Sequence, residues 1–445
     1  MTGMMNENPL DLLPELLILA GAVIGLLTGM FLPRDRQRIV AWICALALAG
    51  SLAATAAAVG RDLMAFELYA VDPLTNLARA TVAVATLLAL WLAAGWAGGA
   101  ARETEVYVLI MLAALGTVLL AGADDLLVLV AAYLLASIPA YALVAFAKDA
   151  HGTEAALKYY LMGAFMGVLM LAGVTLLYGT AGTTSYRPGA PVVAVILLLA
   201  GLLFKAGGVP AHFWLPDAAE GASRPVAAFV TTVPKIGAFV ALFRLAEEVF
   251  REPLLLALIA AATMTLGNLA AFYQDNVRRL LAYSSISQAG YLLVPVAVAG
   301  RSDLAEPALL FYVAAYAVTN LGAFAVVQAA GTDRLQDYAG LARRSPWPAA
   351  ALVVCLLGLV GTPPTAVFVG KLLVFAAAWD GGYAWLAVLA AVNTVASVFY
   401  YLRWIRPVFA GEGAAAPRVW GWPALVASAG SVALGIASGA LLLIR

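Results

Sequence analysis

Charge is scarce in this sequence. Of 445 residues only 11% are Asp, Glu, Lys or Arg, the formal net charge is zero, and 64% of the chain is apolar. Soluble domains carry about 25% charged residues, so the composition excludes a water-soluble globular protein. The zero balance removes the basic surplus through which nucleic acid is bound. Histidine and cysteine are almost absent, with two of each. Two histidines and no cysteine cluster leave no ligand set for haem or an iron–sulfur centre, and no glycine-rich strand-to-helix turn provides for a dinucleotide. Cys44 and Cys355 lie far apart in apolar runs and read as packed thiols rather than a disulfide or metal site. The chain is therefore expected to hold no cofactor or metal of its own. Its opening, MTGMMNENPLDLLPE, has no lysine, arginine or small-residue cleavage site, so the apolar run that follows reads as a spanning helix, not a signal peptide.

Long apolar runs are what the sequence has in abundance. A helix crossing roughly 30 Å of hydrocarbon needs about 20 apolar residues, and an open sheet cannot cross because its edge groups go unpaired. Candidate spans fall at 10–31, 39–59, 75–99, 105–122, 125–147, 155–178, 189–218, 225–245, 253–273, 278–299, 304–329, 347–379, 383–408 and 421–443, which makes fourteen. The expected fold is an all-α polytopic membrane protein, a single membrane domain over 1–445. The seventh and twelfth spans exceed the bilayer and contain Gly207-Gly208-Val209-Pro210 and Gly361-Thr362-Pro363-Pro364, so both read as interrupted helices. They stand five spans apart and run in opposite directions, as in an inverted repeat of five helices. On that basis 105–245 and 253–408 form two halves, flanked by 1–104 and 409–445. Connecting loops are short, and those around 330–346 and 409–420 have room only for turns or a short surface helix.

Basic residues in the loops give an orientation. With the N-terminus outside, inner loops collect Arg34, Arg36, Arg38, Arg102, Lys148, Arg224, Arg278, Arg279, Arg334, Arg343, Arg344, Arg403, Arg406 and Arg418, against Arg61, Arg187, Arg244, Arg251, Arg301 and Arg445 outside. That bias places both termini outside.

Lysine carries the functional signal. Only five occur, and four, Lys158, Lys205, Lys235 and Lys371, sit within apolar spans. A charged lysine at a helix centre costs about 2.5–3.5 kcal/mol on insertion scales, so four are expected to face a polar interior. Desolvated lysines exchange protons near neutral pH, and a chain of them is a proton path. Lys205 stands two residues before the first glycine pair, Lys371 beside the second break, Lys235 directly after Pro234, and Lys158 in the first turn of the sixth span. Broken helices free backbone groups to bind water at mid-membrane depth. The plainer alternative is that these lysines snorkel to the interface or tie helices together through carbonyl bonds. His212, in AHFWLPD, suits a relay between Lys205 and the cytoplasmic side, or simply a capping or packing role. Tyr283, Ser284, Ser285, Ser287 and Gln288, and the single amides Asn268, Asn320 and Asn393, suit a water wire less economically than interhelical hydrogen bonds.

The stretches LKYYLMGAF (157–165), LLFKAGGVPAHFWLPDAAEGASRPVAAFVTTVPKIGAF (202–239), NVRRLLAYSSISQAGYLL (276–293) and LARRSPWPAAALVVCLLGLVGTPPTAVFVGKLLVF (341–375) resemble the antiporter-like membrane subunits of bacterial proton-pumping NADH:quinone oxidoreductase, complex I. AYSSISQAGY, the early LPELLIL and the short C-terminus point within them to the subunit N family. The resemblance covers essentially the whole chain and implies fourteen helices, two inverted five-helix units and no cofactor in this chain. Flavin, iron–sulfur clusters and quinone are then expected on partner subunits. It further implies that Lys205 is the central lysine of a first half-channel, Lys235 the relay to the centre, Lys371 the residue of a second half-channel and Lys158 a further lysine of the sixth helix. One departure matters: where family members carry a glutamate in the fifth helix, this chain reads LLASIPAYALVAF and has Leu134. Tyr133, Asp217 or a carboxylate of an adjacent subunit are the candidates to replace it. Gln288 is a smaller departure, where a histidine is often found.

The implied function is proton translocation in the membrane arm of an NADH:quinone oxidoreductase in the bacterial inner membrane. Its expected partners are the other membrane-arm subunits and lipid and, indirectly, the NADH-oxidising and quinone-reducing subunits, with no nucleic acid. The alternatives are a structural subunit with a degenerate channel, or a subunit of a multi-subunit cation/proton antiporter or membrane-bound hydrogenase.

Overall fold

The computed structural model describes residues 8–100, 102–250, 252–411 and 421–441. The chain divides into two compact units, one of Met1–Ala206 with Val233–Glu252, the other of Gly207–Thr232 with Pro253–Arg445.

The first unit begins with α1 (Leu13–Phe31) and α2 (Arg38–Ala57), a short antiparallel hairpin of β1 (Leu63–Ala65) and β2 (Tyr69–Val71), and α3 (Pro73–Ala97). It continues through α4 (Glu103–Gly122), α5 (Leu126–Val144), α6 (Ala150–Ala181) and α7 (Val192–Ala206). Successive helices pack as neighbours, and α1 also lies on α4. Polar caps start these helices. Asp72, Asp125 and Asp149 accept hydrogen bonds from the first amides of α3, α5 and α6, which would otherwise have no partner at the helix end.

The second unit holds α8 (Trp214–Gly221), the first part of α9 (Arg224–Glu248), α10 (Pro253–Ala271), α11 (Val277–Ala297) and α12 (Ala305–Ala330). After them come α13 (Leu341–Arg344), α14 (Pro346–Val360), α15 (Ala366–Asp380), α16 (Ala384–Phe409), α17 (Trp422–Ile436) and α18 (Ser438–Leu441). Helix α9 is continuous, but 233–248 belongs to the first unit. Helices α10 and α11 pack closely because small residues face each other. A Cβ added at Gly290 would meet the backbone of Met264, and one at Gly267 that of Ser287.

Among the described residues, eleven helices are long and apolar enough to cross a membrane, and α7, α14 and α17 are shorter apolar helices. Both expected interruptions are present. The seventh apolar segment is α7, a turn and α8, and the twelfth is α14, a turn and α15. Gly207 (φ +75°) and Gly361 (φ +91°) adopt the left-handed conformation at the breaks, where a Cβ would be strained.

The 60–72 segment pairs with itself as the β1–β2 hairpin. The compact units do not coincide with 105–245 and 253–408. The flanking helices pack into them, and the break after Ala206 lets α8 leave its own segment and pack on α11. Arg244, counted as a loop charge, lies inside α9 and is buried, donating to Asp72 (2.6 Å), Thr75 (2.8 Å) and the Ala121 carbonyl (3.0 Å). Of the other residues in that tally, Arg251, Arg418 and Arg445 lie outside the described residues.

Candidate functional site

Three of the four intramembrane lysines are buried, Lys205 and Lys235 at 1% exposure and Lys371 at 2%. Each has a different setting.

Lys371 lies on α15, one turn and a half past the second break. Its Nζ donates to the carbonyl of Val360 (2.8 Å), the last residue of α14, and to Thr394 Oγ1 (3.3 Å) on α16. It also sits 4.3 Å from the centre of the Tyr291 ring on α11. A helix end leaves carbonyls without partners and carries partial negative charge, so an ammonium there is favoured. Gly361 makes the approach possible, since a Cβ at that position would lie 2.9 Å from Lys371 Cδ. Tyr291 and Thr394 are hydrogen-bonded to each other (2.9 Å).

Lys205 occupies the last turn of α7, with no hydrogen-bond partner for its Nζ among the described residues. Its Nζ lies over the face of Tyr133, 5.3 Å from the ring centre, on α5. Tyr133 is held by its hydroxyl, which donates to the Gly163 carbonyl (3.3 Å) on α6, and Ser137 donates to the Tyr133 carbonyl (2.6 Å). Lys235 follows Pro234 inside α9, in the part belonging to the first unit.

Lys158 does not join them. Its side chain is 51% exposed and pairs with Glu154 one turn earlier on α6 (2.8 Å). The expectation that it faces the interior fails because α6 starts at Ala150 and turns the 154/158 stripe outward, beside exposed Leu157 and Leu161. His212 lies in the turn between α7 and α8, half-buried, its Nδ1 without a partner among the described residues. It belongs to the second unit and Lys205 to the first.

Leu134 is 45% exposed, whereas Tyr133 is buried. Asp217, another candidate replacement, forms an ion pair with Arg279 (2.8 Å). The polar residues of the tenth span bond between helices. Ser284 meets Tyr401 (2.5 Å), Ser285 meets Tyr316 (2.5 Å), Gln288 donates to the Leu359 carbonyl (2.9 Å), and Tyr312 donates to Gln288. Asn268 donates to Asn393 (2.9 Å) and Asn320 to Thr232 (2.8 Å). Cys44 and Cys355 are buried and unpaired with each other.

Sequence reasoning missed a buried ion pair. Arg79, on α3, makes a two-pronged ion pair with Glu15 of α1 (2.6 and 2.8 Å) and donates to Asn76 (2.9 Å) and the Asp11 carbonyl (3.3 Å). Tyr69 of the hairpin donates to the same carboxylate (2.7 Å). The available signal was a lone arginine inside the span 75–99. No carboxyl or imidazole cluster among the described residues is placed to hold a metal ion. A cavity of about 140 Å³ in the first unit, lined by Leu126, Thr180, Thr183, Tyr186 and Val249 among others, includes none of the lysines.

Long apolar helices, two apolar segments broken at glycine and ionisable groups held inside each unit define a polytopic α-helical membrane protein. The chain belongs to the NADH:quinone oxidoreductase/Mrp antiporter transmembrane family, whose model matches residues 123–397. It is 52% identical to NADH-quinone oxidoreductase subunit N 1 of Streptomyces griseus, over 98% of both chains. Among solved structures, it resembles a chain of respiratory complex I from Thermus thermophilus with bound aureothin. That match has a TM-score of 0.86 and 35% identity, and covers 96% of this chain and 98% of the other. A chain of the Mrp complex from Dietzia shares the fold at a TM-score of 0.85 and 24% identity, over 98% and 95% of the two chains.

Proposed function

We propose that this chain is a subunit-N-type membrane-arm subunit of an NADH:quinone oxidoreductase and translocates protons along buried lysines while partner subunits carry the electron transfer. The observation that carries this reading is one buried lysine beside a helix break in each unit, Lys205 and Lys371. A lysine at a break is desolvated enough to release a proton and close enough to freed backbone groups to meet water. Lys235 is the relay to the centre in this reading, and His212 serves entry from the cytoplasmic side. Lys158 contributes only at the surface. The chain is a translocase subunit without redox chemistry; flavin, iron–sulfur clusters and quinone reside on partners. Eleven long helices, two interrupted ones and α17 make fourteen crossings of the bacterial inner membrane, arranged as two inverted five-helix repeats with both termini outside. The other membrane-arm subunits and lipid surround it.

Near-complete alignment with a subunit N protein at 52% identity favours the redox complex over an antiporter assembly. One observation favours a structural role instead: Lys371 caps α14 through the Val360 carbonyl, as a helix-tying lysine would. Both readings are tested in the purified complex, with its co-purifying subunits identified by mass spectrometry. Proteoliposomes carrying Lys205→Ala or Lys371→Ala should show a lowered proton-to-electron ratio with flavin and iron–sulfur content intact. An unchanged ratio in both variants overturns translocation by this chain and leaves the structural role.

A further inference from the structure

The site around Lys205 is built from tyrosines. Helix α5 supplies Tyr133 and Tyr141, and α6 supplies Tyr159, whose ring meets Tyr141 edge-on at 4.5 Å and stacks with Phe204, the residue before Lys205, at 5.8 Å. All are buried. Two glycines of α6 make room for them. A Cβ at Gly167 would stand 3.3 Å from Tyr133 Cε1, and one at Gly163 would collide with the Tyr141 hydroxyl. The GAFMG stretch at 163–167 thus lets α6 close on the tyrosine side of α5. The ring rather than the hydroxyl of Tyr133 is turned to the lysine, because the hydroxyl is engaged with the Gly163 carbonyl.

Resting on the proposed translocation, we infer that Tyr133 is the positioning residue of Lys205, its buried ring face supporting the ammonium in place of a carboxylate partner. The negative face of an aromatic ring attracts a cation within about 6 Å, and the observed 5.3 Å lies inside that range. The consequence differs from that of a carboxylate. A carboxylate in a dry interior forms an ion pair that is hard to separate, whereas a cation–π contact shifts an equilibrium by about twofold when exposed and about thirtyfold when desolvated. Lys205 is steadied without being trapped, and no anion is left stranded when its proton departs. In the second unit the corresponding ring is an addition to other partners, since Lys371 also donates to Val360 and Thr394. Tyr133 therefore matters more to Lys205 than Tyr291 matters to Lys371 through its ring face.

The test is proton translocation in proteoliposomes of the whole complex, with Tyr133→Phe, Tyr133→Leu, Tyr133→Met, Gly167→Ala and Lys205→Ala compared at equal flavin content. Tyr133→Phe keeps the ring and should retain more than about half of the wild-type ratio, while Tyr133→Leu and Tyr133→Met should lower it at least about threefold. Gly167→Ala, which pushes the ring without altering it, should fall between them and serves where the Leu and Met variants fail to assemble. Normal translocation with Tyr133→Leu or Tyr133→Met, while Lys205→Ala is impaired, overturns the inference but not the proposed function. Equal loss with Phe and Leu also overturns it, because the hydroxyl would then be the active part. Full translocation with Lys205→Ala overturns the proposed function itself.

Discussion

Gly361→Ala should act on Lys371 without touching it chemically. Two costs are built into that position. Its φ of +91° lies where an L side chain is strained, at about 1–2 kcal/mol per residue. The new Cβ would also stand 2.9 Å from Lys371 Cδ, well inside van der Waals contact, so the flexible lysine stem has to move. Moving it breaks the 2.8 Å bond to the Val360 carbonyl, a charged hydrogen bond of about 1.5–3 kcal/mol. The expected loss is about 2.5–5 kcal/mol, of which only the backbone strain, about 1–2 kcal/mol, should remain when the substitution is made in a Lys371→Ala background. Equilibrium unfolding of the full chain in mixed micelles titrated with SDS would give the four corners of that double-mutant cycle. The proton-to-electron ratio of the Gly361→Ala complex should fall together with that of Lys371→Ala. Strict additivity, or a Gly361→Ala complex that translocates normally while Lys371→Ala does not, would refute the coupling of glycine and lysine.

Other substitutions probe the remaining features. Arg79→Met leaves the Glu15 carboxylate buried without its cation and with Tyr69 as a remaining donor, which should cost about 3–5 kcal/mol in the same unfolding assay; Glu15→Gln added to it should recover much of the loss, and no recovery would show that the guanidinium matters only through packing. Lys158→Ala removes an exposed pair with Glu154 and should change stability by no more than about 0.5 kcal/mol, with the proton-to-electron ratio unaltered. Leu134→Glu should not restore a carboxylate partner to Lys205, because position 134 is 45% exposed; a rise in the ratio would contradict this placement. Asp124 lies in the turn between α4 and α5, where burial, with Asp72 and Asp125 nearby, raises its carboxyl above the usual range despite Arg244. The fold therefore favours the protonated form and loses stability as pH rises above the unfolded value, so Asp124→Asn should raise the thermal midpoint more at pH 7.5 than at pH 4.

Most of the framework was legible because lipid leaves few choices. Apolar length gives spans, and Gly-Gly-Val-Pro or Gly-Thr-Pro-Pro inside an overlong span gives a break, since neither glycine nor proline continues a helix well. Burial of Lys205, Lys235 and Lys371 followed from the cost of exposing them to hydrocarbon. The same reasoning misjudged Lys158, because hydropathy marks a residue's depth along a helix but does not say which side of the helix it occupies. It missed Arg79 because the loop tally looked for arginines between spans, although its partner Glu15 lies more than sixty positions away, beyond any local pattern. The β1–β2 hairpin, three residues per strand, is too short for an alternating signal to emerge.

The two breaks also show why similar sequence signals produced unlike sites. Both place a glycine of positive φ near a lysine, but on opposite sides of it. Gly361 precedes Lys371, so the lysine begins the next helix and can reach back to the open end of α14. Gly207 follows Lys205, so this lysine belongs to the end of its own helix. Its side chain leans toward the preceding turn, as helical side chains do, where the carbonyls are already used within α7. An acceptor has to come from another helix, and α5 presents a tyrosine ring rather than a carboxylate. The order of lysine and glycine thus decides which lysine is anchored by backbone and which depends on a neighbour's side chain. For that reason a change at Tyr133 on α5 bears on Lys205 and leaves the anchoring of Lys371 untouched.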